Sequence, residues 1–199
     1  RSSAASDVYK RQALESVKLP SITALSDETF NKCSALKQVT LPETMESIGQ
    51  KAFAESGITS ITLSDNVKKI NASAFNASKQ LEKVVCGKNL ETIGGNAFEG
   101  CSGLKNITLP GGLKTIGSKT FYGCDKLTEL AIPNSVTTLG NNVFENCEHL
   151  TKITLGNGLT AIPNYAFNKC YDLEEIVVPY KVESVSYTHL RAHETSQDL

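Results

Sequence analysis

Five of the six cysteines sit at a fixed interval: Cys101, Cys124, Cys147 and Cys170 are 23 residues apart, and Cys33 falls one residue out of that phase. A chain that coils with this period would stack the thiols in a column. Stacked thiols have two possible chemistries, metal ligation or disulfide formation, and one structural role, packing as small hydrophobes in a core. No Cys-x-x-Cys pair occurs, which argues against zinc and thioredoxin-type sites. On the wide side of a coil, neighbouring Cα atoms fall beyond the roughly 4.4–6.8 Å that a disulfide tolerates. We therefore read the column as buried, reduced thiols. Cys86 stands outside it, in the place of a strand leucine, and belongs to the core.

Other chemistry-bearing groups resolve into repeat text. Gly112–Thr120, GLKTIGSKT, has the glycine separation of a phosphate loop but GSK where GK is required, so Lys119 reads as a solvated turn residue. GNGLTA at Gly156 mimics a dinucleotide fingerprint without the strand–helix unit or the later acidic partner. His149, in ENCEHL beside Glu148, is the one histidine within the repeats and reads as exposed; with no second histidine beside a Ser or Cys, no nucleophilic triad can be assembled. Glu174 and Glu175 are strand neighbours facing opposite sides, a poor acid/base pair. Asn71, Asn76 and Asn106 open glycosylation sequons, relevant only to a chain secreted by a eukaryote. No catalytic, metal-binding or cofactor-binding residue is assigned, and the expected function is non-enzymatic.

These residues are positioned by a repeat. All seven phenylalanines, Phe30, Phe53, Phe75, Phe98, Phe121, Phe144 and Phe167, form one ladder with a single 22-residue step among steps of 23. A ladder from Leu36 to Leu173 and another from Val39 to Ile176 keep the same interval. The short step is a one-residue deletion in AFAESGI, which we take to remove that unit's Cys. One unit reads L-x-x-I-x-L-P-x-x-L-x-x-I-G-x-x-A-F-x-x-C. Its L-x-x-I-x-L part alternates with period two, as a short strand does. Turn residues follow, as in Pro110-Gly111-Gly112, and Gly49, Gly94, Gly117 and Gly140 allow a bend after the next L-x-x-I rung. The A-F-x-x-C-x-x-L segment has helical spacing over one or two turns and predicts a short helix or 3₁₀ turn. Stacked units predict a parallel sheet on one side of a right-handed solenoid, concave because the turns opposite are wider.

Composition narrows the class. With 40% hydrophobic and 21% charged residues the chain is globular, and a formal charge of −1 with pI near 6.4 lacks a nucleic-acid footprint. No apolar run approaches the length of a membrane helix, so direct membrane insertion is not expected. The ends leave the pattern: every arginine (Arg1, Arg11, Arg191) and both His189 and His193 lie outside the repeats. We divide the chain into a tail over 1–13, a solenoid of about seven and a half coils over 14–185, and a tail over 186–199. Both tails resemble adapter or vector remnants, with genuine disordered tails as the alternative, and the chain reads as part of a longer protein.

The unit IGGNAFEGCSGLKNITLPGGLKTIGSKTFYGC resembles the 23-residue leucine-rich repeats of the BspA-like class of bacterial and protist surface proteins. The match covers about residues 14–185; Ser78 in place of Cys and Pro163 in place of Gly depart from it. The resemblance implies a leucine-rich-repeat solenoid at the cell surface or secreted, adhesin-like, with an extracellular protein or glycan as partner. The concave strand face is the candidate ligand-binding surface. One outward column runs Gln38, Ser60, Lys83, Asn106, Glu129, Lys152, Glu175; the other includes Thr40, Thr62, Thr108 and Thr154. A rigid face with variable polar groups suits recognition, whereas threonine chosen only for strand propensity gives a merely soluble face. The alternative function is a structural spacer presenting another domain of the same polypeptide.

Overall fold

The computed structural model describes residues 13–185, so the tails assigned above lie outside the described residues except for Ala13. The chain winds as a parallel β-solenoid in which each coil contributes two short strands. The three-residue strands are β1 (Ser16–Lys18), β3 (Gln38–Thr40), β5 (Ser60–Thr62), β7 (Lys83–Val85), β9 (Asn106–Thr108), β11 (Glu129–Ala131), β13 (Lys152–Thr154) and β15 (Glu175–Val177). Between them lie two-residue strands: β2 (Ala24–Leu25), β4 (Ser47–Ile48), β6 (Lys69–Ile70), β8 (Thr92–Ile93), β10 (Thr115–Ile116), β12 (Thr138–Leu139), β14 (Ala161–Ile162) and β16 (Ser184–Val185). All strand pairs are parallel and in the register of the repeat, for example Ile61 with Val84 and Val84 with Ile107. Sequence reading found the odd-numbered strands; the even-numbered ones, formed by the x-I part of each L-x-x-I rung, make a second sheet that it described only as chain running back. Six of them, β2 to β12, join in one continuous ladder.

The middle residue of each odd strand points inward and its neighbours outward, as strand alternation requires. Ile61, Val84, Ile107, Leu130 and Ile153 are buried on that rule, together with Leu36, Leu81, Leu104, Leu127 and Leu150 at the entry to each strand. The Phe ladder fills the far side. Successive rings stack with centroids 5.2–5.7 Å apart, and all but the first pair lie within 9° of parallel.

The segment around each Phe is not helical; among the described residues no helix is present. The residues two before and two after every Phe have left-handed backbones: Asn96 and Gly100 flank Phe98, Lys119 and Gly123 flank Phe121, and Ser73 and Ala77 flank Phe75. A helix would bond each N–H within its own segment. Here alternate N–H groups leave the coil: Phe53 donates to Ala74 (2.7 Å), Phe75 to Ala97 (2.8 Å) and Phe98 to Thr120 (2.9 Å). The intervening residues close i-to-i+3 turns, such as Cys101 N to Phe98 O (3.1 Å). The period-3 spacing read as helical is thus a chain of turns, hydrogen-bonded coil to coil like a sheet.

Gly94 marks a close approach rather than a flexible bend. A Cβ on Gly94 would lie 2.6 Å from the Ala72 nitrogen of the preceding coil, inside any tolerated contact. Its column lets backbones of neighbouring coils touch.

Candidate binding face

The thiol column is closed to chemistry. Cys33, Cys101, Cys124, Cys147 and Cys170 are buried and unbridged. Each of the last four donates its S–H to the carbonyl of the Phe one coil back, Cys101 to Phe75 (3.1 Å), Cys124 to Phe98 (3.3 Å), Cys147 to Phe121 (3.0 Å) and Cys170 to Phe144 (3.0 Å). Burial pushes the Cys101 and Cys170 thiols up to about 12 and those of Cys124 and Cys147 well above their ordinary range. Cys86 is half-buried against the core, its thiol also raised to about 12 by burial. The column is complete through the short unit as well. Ser56 occupies the position taken above as deleted, 3.2 Å from the Ser78 hydroxyl, while Ser78 donates to the Phe53 carbonyl at 2.6 Å. The deletion therefore falls after the column, in the turn at Gly57 that bonds to the Cys33 carbonyl (3.1 Å).

Polar variety is concentrated on the outward face of the odd strands. Gln38, Thr40, Ser60, Thr62, Lys83, Asn106, Thr108, Glu129 and Glu175 are exposed there, and Lys152 and Thr154 are half-buried. Register places Ser60, Lys83 and Asn106 side by side, and likewise Glu129, Lys152 and Glu175. The face is not one sheet. Its ladder breaks between β3 and β5 and again between β9 and β11, giving groups of two, three and three strands. A depression lies over each break. One of about 410 Å³ gathers Gln38, Thr40, Ser60 and Thr62 with Glu43 and Ser64. The other, about 340 Å³, gathers Thr108, Glu129, Ala131, Lys152 and Thr154. Lys83 and Glu175 line neither.

Exposed charges are paired between coils, on the odd-strand face and outside it. Lys152 lies 2.8 Å from Glu175, and that hydrogen bond, with the charges of Glu175 and Glu129, holds its ammonium above the ordinary lysine range. Lys105 pairs with Glu82 (3.1 Å), Lys114 with Glu91 (3.2 Å) and Lys88 with Asp65 (2.9 Å). At such exposure each pair contributes little to stability. His149 is exposed as expected and has a partner not foreseen, Asp172 at 2.8 Å, 23 residues on. Sequence reading also missed Glu43 and Ser64, which lie in turns whose text differs from coil to coil. Among the described residues no cluster of His, Cys, Asp and Glu could hold a metal ion, and no helix is long and apolar enough to cross a membrane.

Coils of this length, each adding two short parallel strands around a buried leucine and phenylalanine, define a leucine-rich-repeat solenoid. The sequence profile described as BspA type leucine rich repeat region matches residues 3–111 and 68–195, with six copies, and the chain belongs to that family. Among solved structures, a leucine-rich repeat protein from Bacteroides ovatus is similar at 29% identity and a TM-score of 0.73, over 87% of this chain and 51% of that one. The T. pallidum leucine rich repeat protein TpLRR is similar at 26% identity and a TM-score of 0.65, over 85% of this chain and 72% of its own. The pneumococcal vaccine antigen PcpA, 21% identical with a TM-score of 0.53 over 86% of this chain and 56% of its own, shares the fold. This chain thus spans about half the length of the Bacteroides protein. No curated protein matches the sequence.

Proposed function

We propose that this solenoid is a binding module of a cell-surface or secreted protein, adhesin-like, holding an extracellular protein or glycan on its concave odd-strand face. One observation carries the reading: the outward polar columns converge on two depressions at the breaks of the strand ladder, with Gln38, Thr40, Ser60 and Thr62 at one and Thr108, Glu129, Lys152 and Thr154 at the other. A face that only needed to be soluble would have no reason to open at two places. Rigidity supports the same reading, because stacked coils hold these groups without ordering them on binding. Surface display is supported by the family's occurrence in surface proteins. The test is an array of purified extracellular proteins and glycans probed with wild type and with Gln38, Lys83, Glu129 and Lys152 replaced together by alanine. Saturable binding lost in the variant supports the module; indifference of every bound ligand to the four substitutions, or absence of binding, leaves the spacer reading.

A further inference from the structure

Asn157-Gly158, the single Asn-Gly step in the chain, lies in the turn between β13 and β14 with Asn157 exposed. An asparagine before glycine is open to attack by the next backbone nitrogen on its own carboxamide carbon, because glycine has no Cβ to hinder the approach. A fold can block that step by holding the carboxamide or by closing the turn tightly.

Earlier coils hold the equivalent side chain. Asp65 Oδ1 accepts the Lys88 N–H (3.0 Å) and Asn134 Oδ1 accepts the Asn157 N–H (2.9 Å), each from the following coil. Asn157 ends this row. Among the described residues neither its carboxamide nor the Gly158 N–H makes a hydrogen bond. Tyr180, at the same place one coil on, is 85% exposed and does not cap it. One bond closes the turn, Leu159 N–H to Gly156 O at 3.3 Å, beyond the usual range of roughly 2.7–3.2 Å.

The glycine is required by the stacking. A Cβ on Gly158 would lie 2.5 Å from the carbonyl oxygens of both Asn134 and Val136 in the coil behind. The fold thus demands, after Asn157, the residue that leaves it most reactive. Asn134-Ser135 is the comparison in the same column: its carboxamide is committed, and the next residue carries a side chain whose hydroxyl donates to the Leu113 carbonyl (2.6 Å).

We propose that Asn157 is a site of spontaneous deamidation and isomerisation in the folded protein, with water as the co-reactant. The Gly158 N–H gives its proton to hydroxide, and its nitrogen bonds to Cγ of Asn157. The Cγ–Nδ2 bond breaks and ammonia leaves, taking a proton from water, so hydroxide is regenerated. Water then opens the cyclic imide. Opening at the main-chain carbonyl gives isoaspartate, with the backbone rerouted through the side chain, and opening at Cγ gives aspartate. Both products add a negative charge. Isoaspartate also lengthens the backbone of a turn stacked on Asn134 and Val136, and so loosens the joint between β13 and β14.

The test is incubation of the full chain at neutral and mildly alkaline pH, followed by tryptic mass spectrometry against an unincubated sample. Peptide 153–169 spans the site. Fragmentation locates the amide-to-acid mass gain, and labelling by an isoaspartyl methyltransferase separates isoaspartate from aspartate. Conversion at Asn157 should be severalfold faster than at Asn134 and should rise with pH. Asn157→Gln should abolish it while keeping the wild-type melting midpoint. The isoaspartyl form should melt below the Asn157→Asp variant, which changes charge alone. An Asn157 that stays intact in the native protein while the denaturant-unfolded chain converts would show that stacking protects the turn, and would overturn the proposal. Conversion of Asn134 as fast as Asn157, or a rate indifferent to pH, would overturn it too. Equal melting of the isoaspartyl form and Asn157→Asp would refute the loosened joint.

Discussion

The thiol of Cys124 lies 3.3 Å from the carbonyl oxygen of Phe98, one coil behind it, and the same relationship recurs from Cys101 to Cys170. Ser78 makes the bond with a hydroxyl, at 2.6 Å from the Phe53 carbonyl. The column is therefore a row of small donors that satisfy a buried acceptor, and sulfur is one way to supply them. Cys124→Ser should cost less than about 1 kcal/mol, whereas Cys124→Ala, which removes the donor, should cost about 1–3 kcal/mol. Chemical denaturation of both variants decides this. Equal losses would mean that only volume matters at the column.

Thiolate is the reactive form, and burial raises the thiols of Cys101 and Cys170 to about 12 and those of Cys124 and Cys147 well above their ordinary range. A thiol reagent at pH 8 should label none of the five buried column residues in the folded protein and all six cysteines after unfolding. Rapid labelling of Cys124 or Cys147 in the native state would contradict the burial.

Stacking of Phe98, Phe121 and Phe144 joins three coils through rings 5.7 and 5.6 Å apart. Phe121→Ala should destabilise by about 3–5 kcal/mol, the usual cost of emptying a phenylalanine site. Because coils touch only their neighbours, amide exchange should rise mainly between residues 98 and 144. Uniform acceleration from β1 to β15 would indicate all-or-none unfolding instead.

Ala77 has φ of 55°, and Gly100 takes the same position one coil on. A left-handed L-residue costs roughly 1–2 kcal/mol, so Ala77→Gly should stabilise despite glycine's entropy, by about 0.5–1 kcal/mol. Were this segment the helix that its spacing suggests, the same change would destabilise by about 1 kcal/mol. The sign of the shift in melting temperature separates the two.

The hydrogen bond that the His149 Nδ1–H donates to the Asp172 carboxylate raises the imidazolium above its ordinary 6.5. Its contribution to stability is complete below that unfolded-state value and disappears as pH rises through the higher folded value. NMR titration should show His149 titrating above 6.5, and Asp172→Asn should bring it back down. An unchanged midpoint in the variant would show that the pair does not persist in solution.

The architecture is legible in the sequence because a ladder of seven phenylalanines and the leucine columns beside it leave one way to coil. The turn conformation around Phe98 is not legible. Its left-handed positions carry Glu28, Lys51, Ala77 and Tyr165 as readily as Asn96 or Gly100, since bonds between coils impose the backbone whatever the side chain. Ser56 was concealed by the deletion beside it, which can be placed on either side of the column in sequence but only at Gly57 in space. The strand-face residues were foreseen as columns; their gathering at two breaks was not. β9 and β11 carry the same repeat text as the paired strands β7 and β9, and the parting of neighbouring coils leaves no residue-type signature.

The most direct test of a binding role for the odd-strand face is an affinity comparison on whichever array ligand binds most tightly. One variant would carry Gln38→Ala, Glu129→Ala and Lys152→Ala, and a matched one Lys69→Ala, Thr92→Ala and Thr138→Ala on the even-strand sheet. We predict a loss of about tenfold or more in the first and wild-type affinity in the second. Wild-type affinity in the first, or equal losses in both, would contradict a ligand-binding odd-strand face.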